Sequence, residues 1–321
     1  MMAILSRTAV AAPSSLPATL AGLADQYHTH AQVVRGVLPL SANAERPYLR
    51  RFFEWFGPPA SPAGLLQAIS PDSIIACLLD YASKHGHGSR RGMQKTVRLF
   101  LRFAYEAGFL QADLSALSPS VRSPRMGKIA RAIPPPCIEA VLTGVFGDLP
   151  EDRRDRAIFC LLSTYGVRGV QVRRLCLEDV DWARSRIHFR GVKGGRAVDH
   201  PLTAKAGNRL AEYIRHGRPT CTHREIFLTV RAPFAPIRHP RELSRIIRTR
   251  MEALGVKLPE GVAYGSHGFR HALASRMYGA VPFKDLVDML GHCDPSTTLV
   301  YGKVAVATLR KAALPWPGGV P

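Results

Sequence analysis

At 321 residues the chain is long enough for two domains, and 46 % apolar residues can build an ordinary globular core, which excludes a disordered chain. The 44 Lys and Arg outnumber the 24 Asp and Glu, and the net charge of +20 points to a polyanionic partner, nucleic acid before an anionic membrane. No apolar run reaches the roughly 18 residues of a membrane span, and Arg7 and Pro13 interrupt the opening stretch MMAILSRTAVAAPSSLP, so it does not read as a secretory signal.

Residues 1–15 read as a flexible terminus. Apolar periodicity then predicts helices near 17–34, 44–56, 71–85 and 89–108. Ser70 before Pro71 marks a helix start, an N-cap followed by proline at the first helical position. Nothing here resembles a strand pair, so 16–120 is expected to be a small all-helical domain. Within SRRGMQKTVRLFLRFAYEAG, Arg91, Lys95, Arg98 and Arg102 recur at steps of four, three and four, with Arg90 beside them, on one helix face. Val97, Phe100, Leu101 and Ala104 can bury the opposite side. A basic stripe can simply be a solvated face. No acid interrupts this one between 89 and 105, however, and a phosphate backbone would relieve its repulsion, which favours contact with DNA.

The stretch SPSVRSPRMGKIARAIPPP, residues 118–136, is rich in Pro, Ser and basic residues and lacks any acid. It places a linker at 121–133, with a second domain over 134–321. Helices are expected near 134–146 and 151–164. RIHFR and RAVDHPL then read as short strands joined by a turn containing Gly191, Gly194 and Gly195, a hairpin. Helical patterns resume near 203–216, 239–254, 268–279, 282–290 and 303–313. The fold class is therefore mainly α, a helical N-terminal domain plus a mixed α+β domain with a small antiparallel sheet. The six cysteines are scattered without a C-x-x-C pair, which reads as reduced thiols in the cytoplasm rather than a disulfide frame or zinc site.

Several polar residues of the second half stand in unusual contexts. Arg168 follows a Gly-Val turn in TYGVRGVQVRRL, and Lys193 sits in the hairpin turn RGVKGGRAV. His267 and Arg270 are three apart at a helix start in SHGFRHALASRM, and His292 follows Gly291 at a helix end. Taken singly, these read as a helix-start arginine, a loop lysine, a capping histidine with a surface arginine, and a C-capping histidine. Taken together and in order, with Tyr301 closing LGHCDPSTTLVY, they resemble the tyrosine recombinase (phage integrase) family over nearly the whole chain.

That resemblance implies a helical core-binding domain before a catalytic domain, forming a C-shaped clamp on the duplex. It makes Arg168 the first catalytic arginine, Lys193 the hairpin lysine, His267 and Arg270 the H-x-x-R pair, His292 the second histidine and Tyr301 the nucleophile. Three residues after the first arginine the family usually carries Glu, where this chain has Gln171, which can orient a neighbour but supplies no charge. The implied partner is double-stranded DNA at a specific site. The implied assembly is a homo-tetramer on synapsed DNA, a monomer or dimer off it, with the helix after Tyr301 docking on a neighbouring protomer, where its apolar stripe by itself equally allows it to fold back on its own domain. No membrane or small-molecule substrate is involved, and the protein is expected to be cytoplasmic and nucleoid-associated.

The residue types suit the chemistry independently. Two arginines can grip the non-bridging oxygens of a phosphodiester and stabilise the charge of the transition state. A phenol of pKa about 10 is ionised on the order of 0.1 % at neutral pH, so cations and a nearby histidine help it lose its proton. A lysine on a turn can protonate the departing 5′ oxygen. Fixed cations make a metal or other cofactor unnecessary, and no acidic cluster of a two-metal nuclease is evident. The expected enzyme breaks and rejoins DNA through a 3′-phosphotyrosyl link. The alternatives are a type IB topoisomerase-like enzyme and an inactive DNA-binding relative.

Overall fold

The computed structural model describes residues 15–57, 61–118, 131–144, 146–192 and 195–303. Lys193, most of the expected helix 303–313 and nearly all of the expected flexible terminus lie outside these residues. The chain divides into two compact units between Pro124 and Arg125.

The first unit contains α1 (Leu20–Val33), α2 (Pro39–Asn43), α3 (Arg46–Trp55), α4 (Pro62–Ala68), α5 (Pro71–Lys84) and α6 (His87–Glu106). Helix α5 begins where proline and cap chemistry require: the Ser70 side chain accepts from the Ser73 amide, and Ser73 returns the bond. Helix α6 is the axis of the unit, touching α1, α3 and α5. Its apolar face is buried as expected, with Val97, Phe100, Leu101 and Ala104 fully enclosed. Phe100 meets the rings of Tyr27, Phe52, Phe53 and Phe103, so one side chain joins three helices.

The second unit contains α7 (Pro135–Thr143), α8 (Pro150–Tyr165), α9 (Gly169–Arg173), β1 (Val180–Asp181), β2 (Arg186–Phe189), β3 (Val198–Pro201), α10 (Ala204–His216), α11 (Pro240–Ala253), α12 (Ser266–Met277) and α13 (Phe283–Leu290). Short 3₁₀ turns at Pro295–Thr297 and Leu299–Lys303 follow. The sheet is antiparallel in the order β1-β2-β3, with Ile187 opposite His200 and Phe189 opposite Val198. Ile187 and Phe189 turn into the core while their strand neighbours do not, the period-2 pattern of a half-buried strand. Helix α8 is central and packs on α7, α9, α10, α11 and α12. The last residues of the expected linker join this unit: Ile133 is fully buried in its core, and its amide donates to the Gly268 carbonyl. Among the described residues, no single helix is long and apolar enough to cross a membrane.

Candidate active site

Helix α8 ends at Gly166, whose left-handed backbone (φ 58°) turns the chain back; a β-carbon there would lie 2.7 Å from the Leu273 side chain. Val167 anchors the turn in the core, and Arg168 becomes the extended N-cap residue of α9. Gly169 lets this turn lie against α12, because a β-carbon would come within 2.5 Å of the Ser266 hydroxyl oxygen. Nη1 of Arg168 is buried and has no hydrogen-bond partner among the described residues. A buried guanidinium nitrogen left unpaired carries a desolvation cost, which an anion at that position would remove.

Gln171 is 4 % exposed and bridges two parts of the site. Its Oε1 accepts from the Arg168 amide at 2.9 Å, and its Nε2 donates to the Arg190 carbonyl at 3.1 Å, where the hairpin turn begins. The Arg190 guanidinium is held in turn by Asp179 at 3.0 Å. At the other end of the turn, a β-carbon on Gly195 would sit 2.8 Å from Arg168 Nη1 and 3.2 Å from the Gly291 carbonyl, so only glycine lets the hairpin pass this close. Lys193 lies between these anchors in sequence and outside the described residues.

Arg270 projects from α12 and is 3 % exposed. Nη1 donates to the Gly166 carbonyl at 2.9 Å, while Nη2 reaches the Leu290 carbonyl at 2.6 Å and His292 Nε2 at 2.8 Å. These bonds commit three of its five N–H donors and tie the ends of α8 and α13 to one guanidinium. Burial, then the neighbouring Arg168 charge, lowers its pKa to about 10, and it remains a cation at neutral pH.

Helix α13 delivers His292. Leu290 is buried, Gly291 is left-handed (φ 62°), and the His292 amide returns to the Val287 carbonyl, a Schellman-type ending that turns the ring inward. His292 is 5 % exposed, and Nδ1 lies 2.6 Å from Thr298 Oγ1. Because Arg270 can only donate, Nε2 must accept and Nδ1 must carry the proton. Burial, followed by the charges of Arg270 and Arg168, lowers the His292 pKa to about 4. The ring is therefore a neutral, fixed acceptor.

Tyr301 follows on the last 3₁₀ turn and is 2 % exposed. Burial raises its pKa, while Arg270, within hydrogen-bonding reach, and Arg168 pull it down. Its hydroxyl lies 3.2 Å from Nδ1 of His271. The structure thus brings Arg168, Arg270, His292 and Tyr301 together, while His267 is exposed one turn before His271 on α12, the two rings 6.2 Å apart. His271 and Thr298 escaped the sequence reading. The signal for His271 was present in HGFRH, four residues after His267, but its contact spans thirty residues of chain.

The basic stripe of α6 is less free than its sequence implies. Lys95 pairs with the buried Glu45 carboxylate at 3.0 Å, and Arg102 pairs with Glu106 at 3.1 Å. Arg98 donates to the Ser118 carbonyl, and Arg90 to that of His85. Arg90, Arg91, Lys95 and Arg102 are exposed, and Arg98 is half-buried.

Residues 142–307 match the model of the phage integrase family. The chain is 31 % identical over 295 residues to the candidate integrase/recombinase y4rF of Sinorhizobium fredii, covering 91 % of this chain and 69 % of that protein. It is 28 % identical to tyrosine recombinase XerC 2 of Ralstonia nicotianae, over 89 % of this chain and 82 % of that one. In fold it is similar to the XerH site-specific recombinase bound to palindromic difH substrate in a post-cleavage complex. That match has a TM-score of 0.67 at 15 % identity and covers 90 % of this chain and 83 % of that one. A lambda integrase dimer bound to a COC′ core site matches with a TM-score of 0.65 at 17 % identity, over 88 % of this chain and 77 % of that one.

Proposed function

The chain belongs to the phage integrase family, and from that premise we propose that it is a site-specific DNA recombinase whose nucleophile is Tyr301. One observation carries the assignment: the buried Tyr301 hydroxyl adjoins Arg270, beside an Arg168 guanidinium with a nitrogen unpartnered among the described residues. A scissile phosphodiester is an anion that these two cations can bind.

The residues then divide the work. Arg168 and the uncommitted donors of Arg270 bind the non-bridging oxygens and stabilise the charge that grows as phosphorus becomes five-coordinate. His292 keeps Arg270 oriented by accepting one of its protons. The Tyr301 oxygen attacks phosphorus, the bond to the 5′ oxygen breaks, and a 3′-phosphotyrosyl link conserves the bond energy for religation. Lys193, three residues after Arg190 in sequence, protonates the departing 5′ oxygen, and His267 acts with Arg270 as the H-x-x-R pair. Of the α6 stripe, Arg90, Arg91, Lys95, Arg98 and Arg102 hold the phosphate backbone of double-stranded DNA.

The family relationship supports strand exchange in pairs within a tetramer on two synapsed duplexes, assembled from monomers or dimers. It also supports reading 16–120 as the core-binding domain and 134–321 as the catalytic domain. The test is a suicide substrate, a recombination site nicked beside the scissile phosphate so that religation is lost. A denaturant-resistant protein–DNA adduct is expected; its absence on every inverted repeat flanking the gene would overturn the assignment.

A further inference from the structure

Nucleophilic attack by a phenol requires somewhere for its proton to go, and few groups at this site can receive one. Arg270 and Arg168 are donors only. His292 has no lone pair to spare, because Nε2 accepts from Arg270 and Nδ1 carries a proton towards Thr298. Nδ1 of His271 lies 3.2 Å from the hydroxyl, with the two rings 5.5 Å apart.

We propose that His271 is a catalytic base that holds the Tyr301 hydroxyl and takes its proton as the phenol attacks phosphorus. The inference rests on Tyr301 being the nucleophile. In the step, the proton passes from the phenol oxygen to Nδ1 while the oxygen–phosphorus bond forms. The bond from phosphorus to the 5′ oxygen breaks, and that oxygen takes a separate proton from Lys193. Religation returns the His271 proton to tyrosine.

The surroundings make this transfer dependent on substrate. The groups facing His271 are His267 one turn earlier, Arg270 beside it and Tyr301 across from it; among the described residues no carboxylate contributes. Burial first, then His267 and Arg270, hold its pKa below the ordinary imidazole value, so the ring is neutral at neutral pH, and with its proton on Nε2 it accepts from the hydroxyl at Nδ1. Burial also keeps the phenol protonated. A phosphate seated between Arg168 and Arg270 offsets their field, and an imidazolium beside them then becomes less unfavourable. Tyrosine and histidine exchange the proton only once DNA is in place.

His271→Asn tests the role, because Asn keeps an acceptor near the position of Nδ1 but cannot take a proton. On a suicide substrate in single turnover, adduct formation should slow by about 10²-fold, the lower end for loss of a general base, with DNA binding unchanged. A substrate with sulfur in place of the bridging 5′ oxygen has a leaving group that needs no proton. It should rescue Lys193→Ala and leave His271→Asn slow. A wild-type rate for His271→Asn, or recovery on the sulfur substrate, would overturn the proposal. Should the Asn variant lose DNA binding, His271→Ala carries the test: added imidazole should accelerate it, and an unchanged rate would refute the role. A wild type without adduct, or Tyr301→Phe with one, would instead fail the reading beneath it.

Discussion

Arg270 and His292 meet at 2.8 Å through Nη2 and Nε2, a contact in which only the histidine can accept. This pair fixes more than one bond. It sets the His292 tautomer, directs Nδ1–H to Thr298, and fastens the end of α13 to the same guanidinium that holds the end of α8. The histidine is thereby a fixed structural partner of Arg270, the residue proposed to clamp phosphate, rather than a proton carrier in the DNA-free protein.

A stability difference in acid follows from that state. The folded pKa of His292 is about 4, below its ordinary 6.5, so protons bind the unfolded chain more readily. The stabilisation is complete above about pH 6.5 and is lost as pH falls towards 4. His292→Gln retains an acceptor for Arg270 but does not titrate, and it should remove on the order of 2–3 kcal/mol of this acid dependence. His28, His200 and His271 shift the same way, so the wild-type-minus-variant difference is the quantity to measure. Parallel thermal unfolding curves between pH 7 and pH 4 would contradict the assignment.

The two arginines should separate function from stability. Arg168→Ala removes a guanidinium whose Nη1 has no partner among the described residues, so cleavage should fall by roughly 10²–10³ while melting temperature is nearly unchanged. Arg270→Ala strands two buried carbonyls and His292 as well, and should lose both cleavage and about 3 kcal/mol or more of stability. Equal melting temperatures for the two variants would argue against these partner assignments.

Gln171 donates to one neighbour and accepts from another, which a carboxylate cannot do. Gln171→Glu places negative charge against the Arg190 carbonyl and should cost roughly 1–3 kcal/mol at neutral pH. Protonation of the buried acid restores a donor, so the deficit should shrink as pH falls through the carboxyl pKa. A deficit constant with pH would show that the hydrogen bond to Arg190 is unimportant.

On α6 the cations should contribute unequally to DNA affinity. Arg91→Gln should flatten the log–log salt slope by about 0.9 if it neutralises one phosphate. Lys95 already neutralises Glu45, so Lys95→Gln should change the slope less. Equal slopes for both variants and the wild type would mean that the stripe faces solvent.

The features legible from sequence are those with local causes. Ser70 and Pro71 cap α5 by contacts within four residues, the buried face of α6 follows a helical period, and β2 and β3 pair across a glycine-rich turn. Helices α2 and α4 have five and seven residues, too few for a period to emerge, and β1 has only two. The partner of Lys95 is not legible from the stripe, because Glu45 precedes α3, fifty residues away, and reaches Lys95 only through the fold. His271 was missed for the same reason: its role depends on a fold that returns Tyr301 to α12.

The central claim, that Tyr301 becomes covalently joined to DNA, is tested most directly by mapping the adduct. The wild-type protein is reacted with a suicide substrate, digested with protease and nuclease, and the modified peptide sequenced by mass spectrometry. The predicted peptide spans Tyr301 and carries a 3′-linked nucleotide, and Tyr301→Phe should bind the same DNA with no adduct. A nucleotide found on any other residue, or an adduct of equal yield from the Phe variant, would contradict the account.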